Sequence, residues 1–119
     1  IVDTSEDRRE MALQLGATAT FTSGEAFKAF DKKCELTVDC AATFESFDGC
    51  ICASTVNGTL ALVGIPEVGF LNFNAHQAGI KELFIISVRR SNHCLETCLE
   101  LTDVRYWRLM TRKPVPPQL

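Results

Sequence analysis

Short apolar runs alternate with capped helical segments over the first hundred residues, and this alternation limits the fold more than any other property of the chain. Leu36-Thr37-Val38-Asp39-Cys40 and Thr59-Leu60-Ala61-Leu62-Val63-Gly64 have the length of strands. The second run is almost wholly apolar, as in a strand covered on both faces. Residues 83–88 read as a further strand, and 18–22 as a β-rich stretch. Between them lie helical signals. Ser5 precedes a first turn holding Glu6 and Asp7, both favourable at the positive end of a helix. Arg8, Met11, Ala12 and Leu15 follow at helical spacing, and Gly16 supplies a stop. Residues 23–30 read as a short helix with Ala26, Phe27 and Phe30 on one side. Thr43 caps a helix in which Phe44, Phe47 and Ile51 share a face. Asn57-Gly58 reads as a turn, and 66–76 as loop. Ser91 or Asn92 opens a last helix with Leu95, Cys98, Leu99 and Thr102 on one face. Strand, helix and strand in alternation predict an α/β fold with a parallel sheet and helices on both sides.

At 119 residues the chain has room for one domain and one core. The net charge is −3 and the basic residues are scattered, so neither nucleic acid nor an anionic membrane is an expected partner. No apolar run approaches the roughly 18 residues of a spanning helix, and no secretory signal opens the chain. A cytoplasmic setting with reduced thiols is expected. Of the six cysteines, Cys34, Cys40, Cys50 and Cys52 sit in or beside apolar segments and read as small hydrophobes. Cys50-x-Cys52 on a helix would point apart. His93-Cys94 with Cys98 would face one another, but two or three ligands fall short of a closed tetrahedral zinc site. No metal site is expected. No serine-histidine-acid set suggests a hydrolase, and His76 and His93 read as exposed loop residues.

Ile1-Val2-Asp3 places an acid at the end of a short apolar segment, directly before a capped helix. In dinucleotide-binding folds that is where an acidic residue meets the adenosine ribose, about 20 residues after a glycine-rich phosphate turn. With VDTSEDRREMALQLGA come LTVDCAA, NGTLALVGIP and the following glutamate, and ISVRRS leading to LETCLEL, in that order. Over residues 1–101 these segments resemble the cofactor domain of the zinc-containing alcohol dehydrogenases of the medium-chain dehydrogenase/reductase superfamily. The likeness is greatest to the cinnamyl-alcohol-dehydrogenase and aldehyde-reductase branch.

The resemblance implies a partial Rossmann-type doubly wound parallel sheet, without its first strand and glycine-rich turn, over 1–101. Residues 102–119 form a tail without recognisable counterpart. It implies a fragment of an NAD(P)-dependent alcohol dehydrogenase or aldehyde reductase, with zinc held only in a separate catalytic domain. The partner of the complete enzyme, expected as a homodimer, is a small alcohol or aldehyde. Carried over residue by residue, Asp3 becomes the ribose-binding acid, with Ser5 and the basic Arg8 near the adenosine. Cys40 and Ala41 lie beside its adenosine side, Val63, Gly64 and Ile65 approach the nicotinamide, and Ser87 matches the serine of a glycine-serine pair. Ile86 and Arg90 depart from the pattern, replacing a glycine and a small residue. Asp3 favours NAD over NADP, because a 2′-phosphate would meet a like charge. No residue of the chain is expected to be catalytic, and the chain alone is expected to be inert. Two other readings stand beside this one: a non-catalytic binding or regulatory remnant of the same fold, and a zinc-independent, quinone-reductase-like oxidoreductase.

Overall fold

The computed structural model describes residues 1–67, 69–70, 72–89 and 94–101. Ser91, Asn92, His93, Thr102 and the tail over 102–119 lie outside the described residues. The described residues divide into two compact units, one of Ile1, Asp3–Thr20 and 94–101, the other of Val2 and the described part of Phe21–Arg89.

The first unit holds two helices, α1 (Glu6–Gln14) and α5 (Leu95–Leu101). Helix α1 starts as its sequence predicts, with Ser5 at the N-cap and Glu6 and Asp7 in the first turn. It buries only Ala12, so its register comes from its ends more than from an apolar stripe. Gly16, at φ +97°, carries the chain out of the helix in a conformation that disfavours a side chain.

The second unit holds α2 (Ser23–Ala29), β1 (Cys34–Asp39), α3 (Phe44–Ala53), β2 (Ser54–Leu62), α4 (Ala75–Ile80) and β3 (Phe84–Ser87). The strands form a parallel sheet in the order β1-β2-β3. Thr37 pairs with Leu60 and Leu60 with Ile85, and two residues on Asp39 pairs with Leu62 and Leu62 with Ser87. On that face Thr37, Asp39 and Leu60 are buried, and Phe47, Ile51 and Ala78 from α3 and α4 close a core with Leu60. Phe73 meets Phe47 edge-on at 5.4 Å. Leu36, Val38, Phe84 and Ile86 alternate onto the other face and stay exposed, at 51 to 63%. The fold is thus α/β with a parallel sheet, as the sequence predicts. The expectation of a β2 covered on both faces is corrected: among the described residues the core lies on one side.

Three further expectations are corrected. The stretch over 18–22 reduces to Phe21, which makes one isolated parallel bridge to Val2. A strand needs partner length, and Ile1-Val2 offers almost none. Asn57-Gly58 does not precede β2 but lies inside it. The register slips between Cys34↔Ser54 and Leu36↔Thr59, so the extra residues of β2 bulge. Asn57 takes φ 58° there and donates its amide to the carbonyl of Lys81 at 2.7 Å. A Cβ on Gly58 would stand 2.9 Å from the carbonyl oxygen of Thr55. His76 is not in a loop: it sits in α4, whose start is fixed by the Asn74 side chain accepting the Gln77 amide at 3.1 Å.

Candidate functional site

Parallel strands present their carboxyl ends together, and the turns that follow them are where ligands sit in open α/β sheets. The turn after β1 is built by Asp39. Its Oδ1 accepts the amides of Ala41 at 3.0 Å and Ala42 at 3.1 Å, and its carbonyl accepts those of Val63 and Gly64, both at 2.9 Å. Ala42 is held at φ 52°, a left-handed conformation that a non-glycine residue adopts only under such constraint. Gly64 is there because nothing larger fits. A Cβ on it would stand 2.7 Å from the Cys40 carbonyl and 2.8 Å from both the amide and the Cβ of Ala42. Thr43 then caps α3, accepting the Ser46 amide at 3.1 Å.

Two shallow clefts open at these ends. One, of about 310 Å³, is lined by Ala41, Ala42, Thr43, Phe44, Glu67, Phe70 and Asn72. The other, of about 290 Å³, lies between the ends of β2 and β3 and is lined by Leu62, Gly64, Ile65, Pro66, Ser87, Val88 and Arg89. Of the residues singled out in the sequence, Gly64, Ile65 and Ser87 come together in the second cleft and Ala41 in the first. Cys40 and Val63 are exposed beside the turns.

Asp3, Ser5 and Arg8 are brought together in the first unit. Asp3 Oδ1 accepts the Ser5 amide at 2.8 Å, and Oδ2 lies 3.7 Å from Arg8 Nη1. That long ion pair, exposed on the Arg8 side and half-buried on the Asp3 side, leaves the carboxylate with acceptor capacity to spare. Arg9, which the sequence did not single out, holds the backbone of this turn by donating from Nη1 to the carbonyls of Asp3 at 2.8 Å and Thr4 at 3.0 Å.

Asp39 was also missed. It is 2% exposed, and its Oδ2 is buried without a hydrogen-bond partner. An acid as the last residue of a strand, two places before a small residue, was the available signal. Its charge is felt by the Cys50 thiol, pushed up to about 11 first by burial and then by Asp39. Burial likewise raises Cys52. Among the described residues no group of three or more histidine, cysteine or acidic side chains could hold a metal ion. Zinc therefore does not fit the described part of this chain. No described helix is long and apolar enough to cross a membrane.

A sequence profile of zinc-binding dehydrogenases matches residues 1–103. The chain belongs to that family. No match was found among curated proteins. Solved structures of several dehydrogenases share its fold. Benzyl alcohol dehydrogenase from Acinetobacter calcoaceticus is 24% identical with a TM-score of 0.71, matching 90% of this chain and 31% of its own. D-arabinose dehydrogenase from Sulfolobus solfataricus is 20% identical with a TM-score of 0.73, over 84% of this chain and 32% of its own. A short chain alcohol dehydrogenase from E. coli, complexed with NADH, is 20% identical with a TM-score of 0.71, over 83% and 31%. The chain thus spans about a third of the length of these proteins.

Proposed function

We propose that this zinc-binding dehydrogenase chain provides the cofactor-facing strand ends of an NAD(P)-dependent alcohol dehydrogenase or aldehyde reductase of the cinnamyl-alcohol type. The carrying observation is the cleft between the ends of β2 and β3, where Gly64, Ile65 and Ser87 converge in a chain of this family. The E. coli enzyme of the same fold is complexed with NADH. A nicotinamide cofactor, when bound, supplies the hydride acceptor or donor. Everything else asked of this chain is binding and orientation. Asp3 accepts hydrogen bonds from the adenosine ribose, with Ser5 and Arg8 beside it, and Cys40 and Ala41 flank the adenosine. Val63, Gly64, Ile65 and Ser87 form the wall at the nicotinamide. The polarising zinc and the proton relay are assigned to the catalytic domain of the complete enzyme, and the chain by itself is expected to turn over no alcohol.

NAD is preferred to NADP, because a 2′-phosphate at Asp3 meets a carboxylate. Arg8, whose side chain is 75% exposed, offsets that repulsion only weakly. Titration of the chain with NADH and with NADPH, followed by amide chemical shifts, tests the reading. The expected result is a response at Ser5, Gly64, Ile65 and Ser87 that is stronger for NADH, with Asp3→Ser moving the balance toward NADPH. Saturating NADH without a response at Gly64, Ile65 and Ser87 overturns the assignment. An unchanged balance in Asp3→Ser removes Asp3 from the ribose.

A further inference from the structure

We infer that Asp39 is a positioning residue that couples the turns after β1 and β2, so that the two walls facing a bound cofactor hold one fixed geometry. The inference rests on the cofactor reading above, but its structural part stands on this unit alone. One residue touches both turns. Its side chain takes the amides of Ala41 and Ala42, and its carbonyl takes those of Val63 and Gly64. Ala42 lies between them at φ 52° and is 4% exposed, where only Gly64 can stand against it. A left-handed alanine persists only when its surroundings over-determine it. Here the constraint comes from the Asp39 carboxylate on one side and the packed Gly64 backbone on the other.

Removing the carboxylate frees Ala42 to leave the left-handed region. The contact with Gly64 then loosens, although no atom of the second turn has been altered. The buried Oδ2 has no hydrogen-bond partner, so burying this side chain carries a cost that the turn contacts of Oδ1 offset. Its orientation is accounted for by the turn it holds.

The test is amide hydrogen exchange on the chain carrying Asp39→Ala, with NADH binding read in parallel. Exchange is expected to rise by about tenfold at Ala41 and Ala42, each of which loses its bond to the carboxylate, and to rise also at Val63 and Gly64, whose turn loosens with them, while Leu60 in the middle of β2 is unchanged. NADH-induced shifts at Gly64 and Ile65 weaken. Adding Ala42→Gly to Asp39→Ala restores protection at Val63 and Gly64, because glycine adopts the left-handed region without help. Unchanged exchange at Val63 and Gly64, or a rise at Leu60 by the same factor, overturns the inference, the second by showing a general loss of stability. If Asp39→Ala does not fold, Asp39→Ser takes its place. Its hydroxyl replaces one of the two side-chain acceptor contacts, and the same comparison between Gly64 and Leu60 decides. Failure of the unaltered chain to respond to NADH overturns the cofactor reading and leaves the exchange result to judge Asp39.

Discussion

Lys81 is 4% exposed, and its ammonium group donates to three carbonyl oxygens, those of Ile51 at 2.7 Å and of Cys52 and Ser54 at 2.8 Å. These are carbonyls at the carboxyl end of α3 and the start of β2, so one cation satisfies acceptors that the helix end leaves open and sits at the negative end of its dipole. Lys81→Met takes a donor from all three, of which Cys52 keeps the Lys32 amide at 3.1 Å, and is expected to lower stability by about 3 kcal/mol, read as a shift of the urea midpoint at unchanged slope. Cys50 makes a second prediction. Its thiol is raised from 9.0 to about 11 in the folded chain, so between those values the folded state holds a proton that the unfolded state has lost. Stability therefore falls as pH rises from 9 to 11, and that share of the fall disappears in Cys50→Ala. The same shift keeps Cys50 slow toward iodoacetamide at pH 8, measured by peptide mass spectrometry on the native chain.

Helix α3 is the element on which the first cleft and the core depend. Its start is fixed by Thr43, whose hydroxyl accepts the Ser46 amide while the Ser46 hydroxyl accepts the Thr43 amide at 3.0 Å. Thr43→Ala is expected to lower stability by about 1 kcal/mol in chemical denaturation and to increase exchange in the first turn of α3. The turn after β2 carries the stronger constraint. Gly64→Ala sets a methyl group within 2.8 Å of backbone atoms that cannot yield, so it destabilises by more than Thr43→Ala and displaces the turn after β1. The sequence reading gave Gly64 to a cofactor wall. The structure gives it a packing reason as well, since the close approach is to Ala42 and Cys40 of the neighbouring turn.

At the largest scale, that of the sheet-bearing unit, the described residues build a core on one face of the sheet and leave apolar side chains exposed on the other. Leu36, Val38, Phe84 and Ile86 together form an apolar surface of the kind that drives self-association in a chain of low net charge. Replacing Val38 and Ile86 with threonine, which keeps β-propensity, is expected to lower concentration-dependent light scattering without altering the circular dichroism spectrum. Unchanged scattering would place the association elsewhere.

The sequence by itself determined the type and order of α1, α2, β1, α3, β2, β3 and α5, and the family. Those follow from local signals: the caps at Ser5 and Thr43, the strand-length runs at Leu36 and Thr59, and the stop at Gly16. It also brought Asp3, Ser5 and Arg8 into one turn, because residues so close in the chain need only a helix start to meet. It did not determine what depends on contacts between distant segments. The bulge at Asn57-Gly58 exists because Lys81, more than twenty positions on, offers its carbonyl there. Helix α4 has too few residues to show a period, and the open sheet face reflects packing that a run of apolar letters cannot reveal. The role of Asp39 was hidden for the same reason. An acid at a strand end reads as a turn former, and only the tertiary structure sets its carbonyl beneath the turn after the next strand and presses Gly64 against a left-handed Ala42.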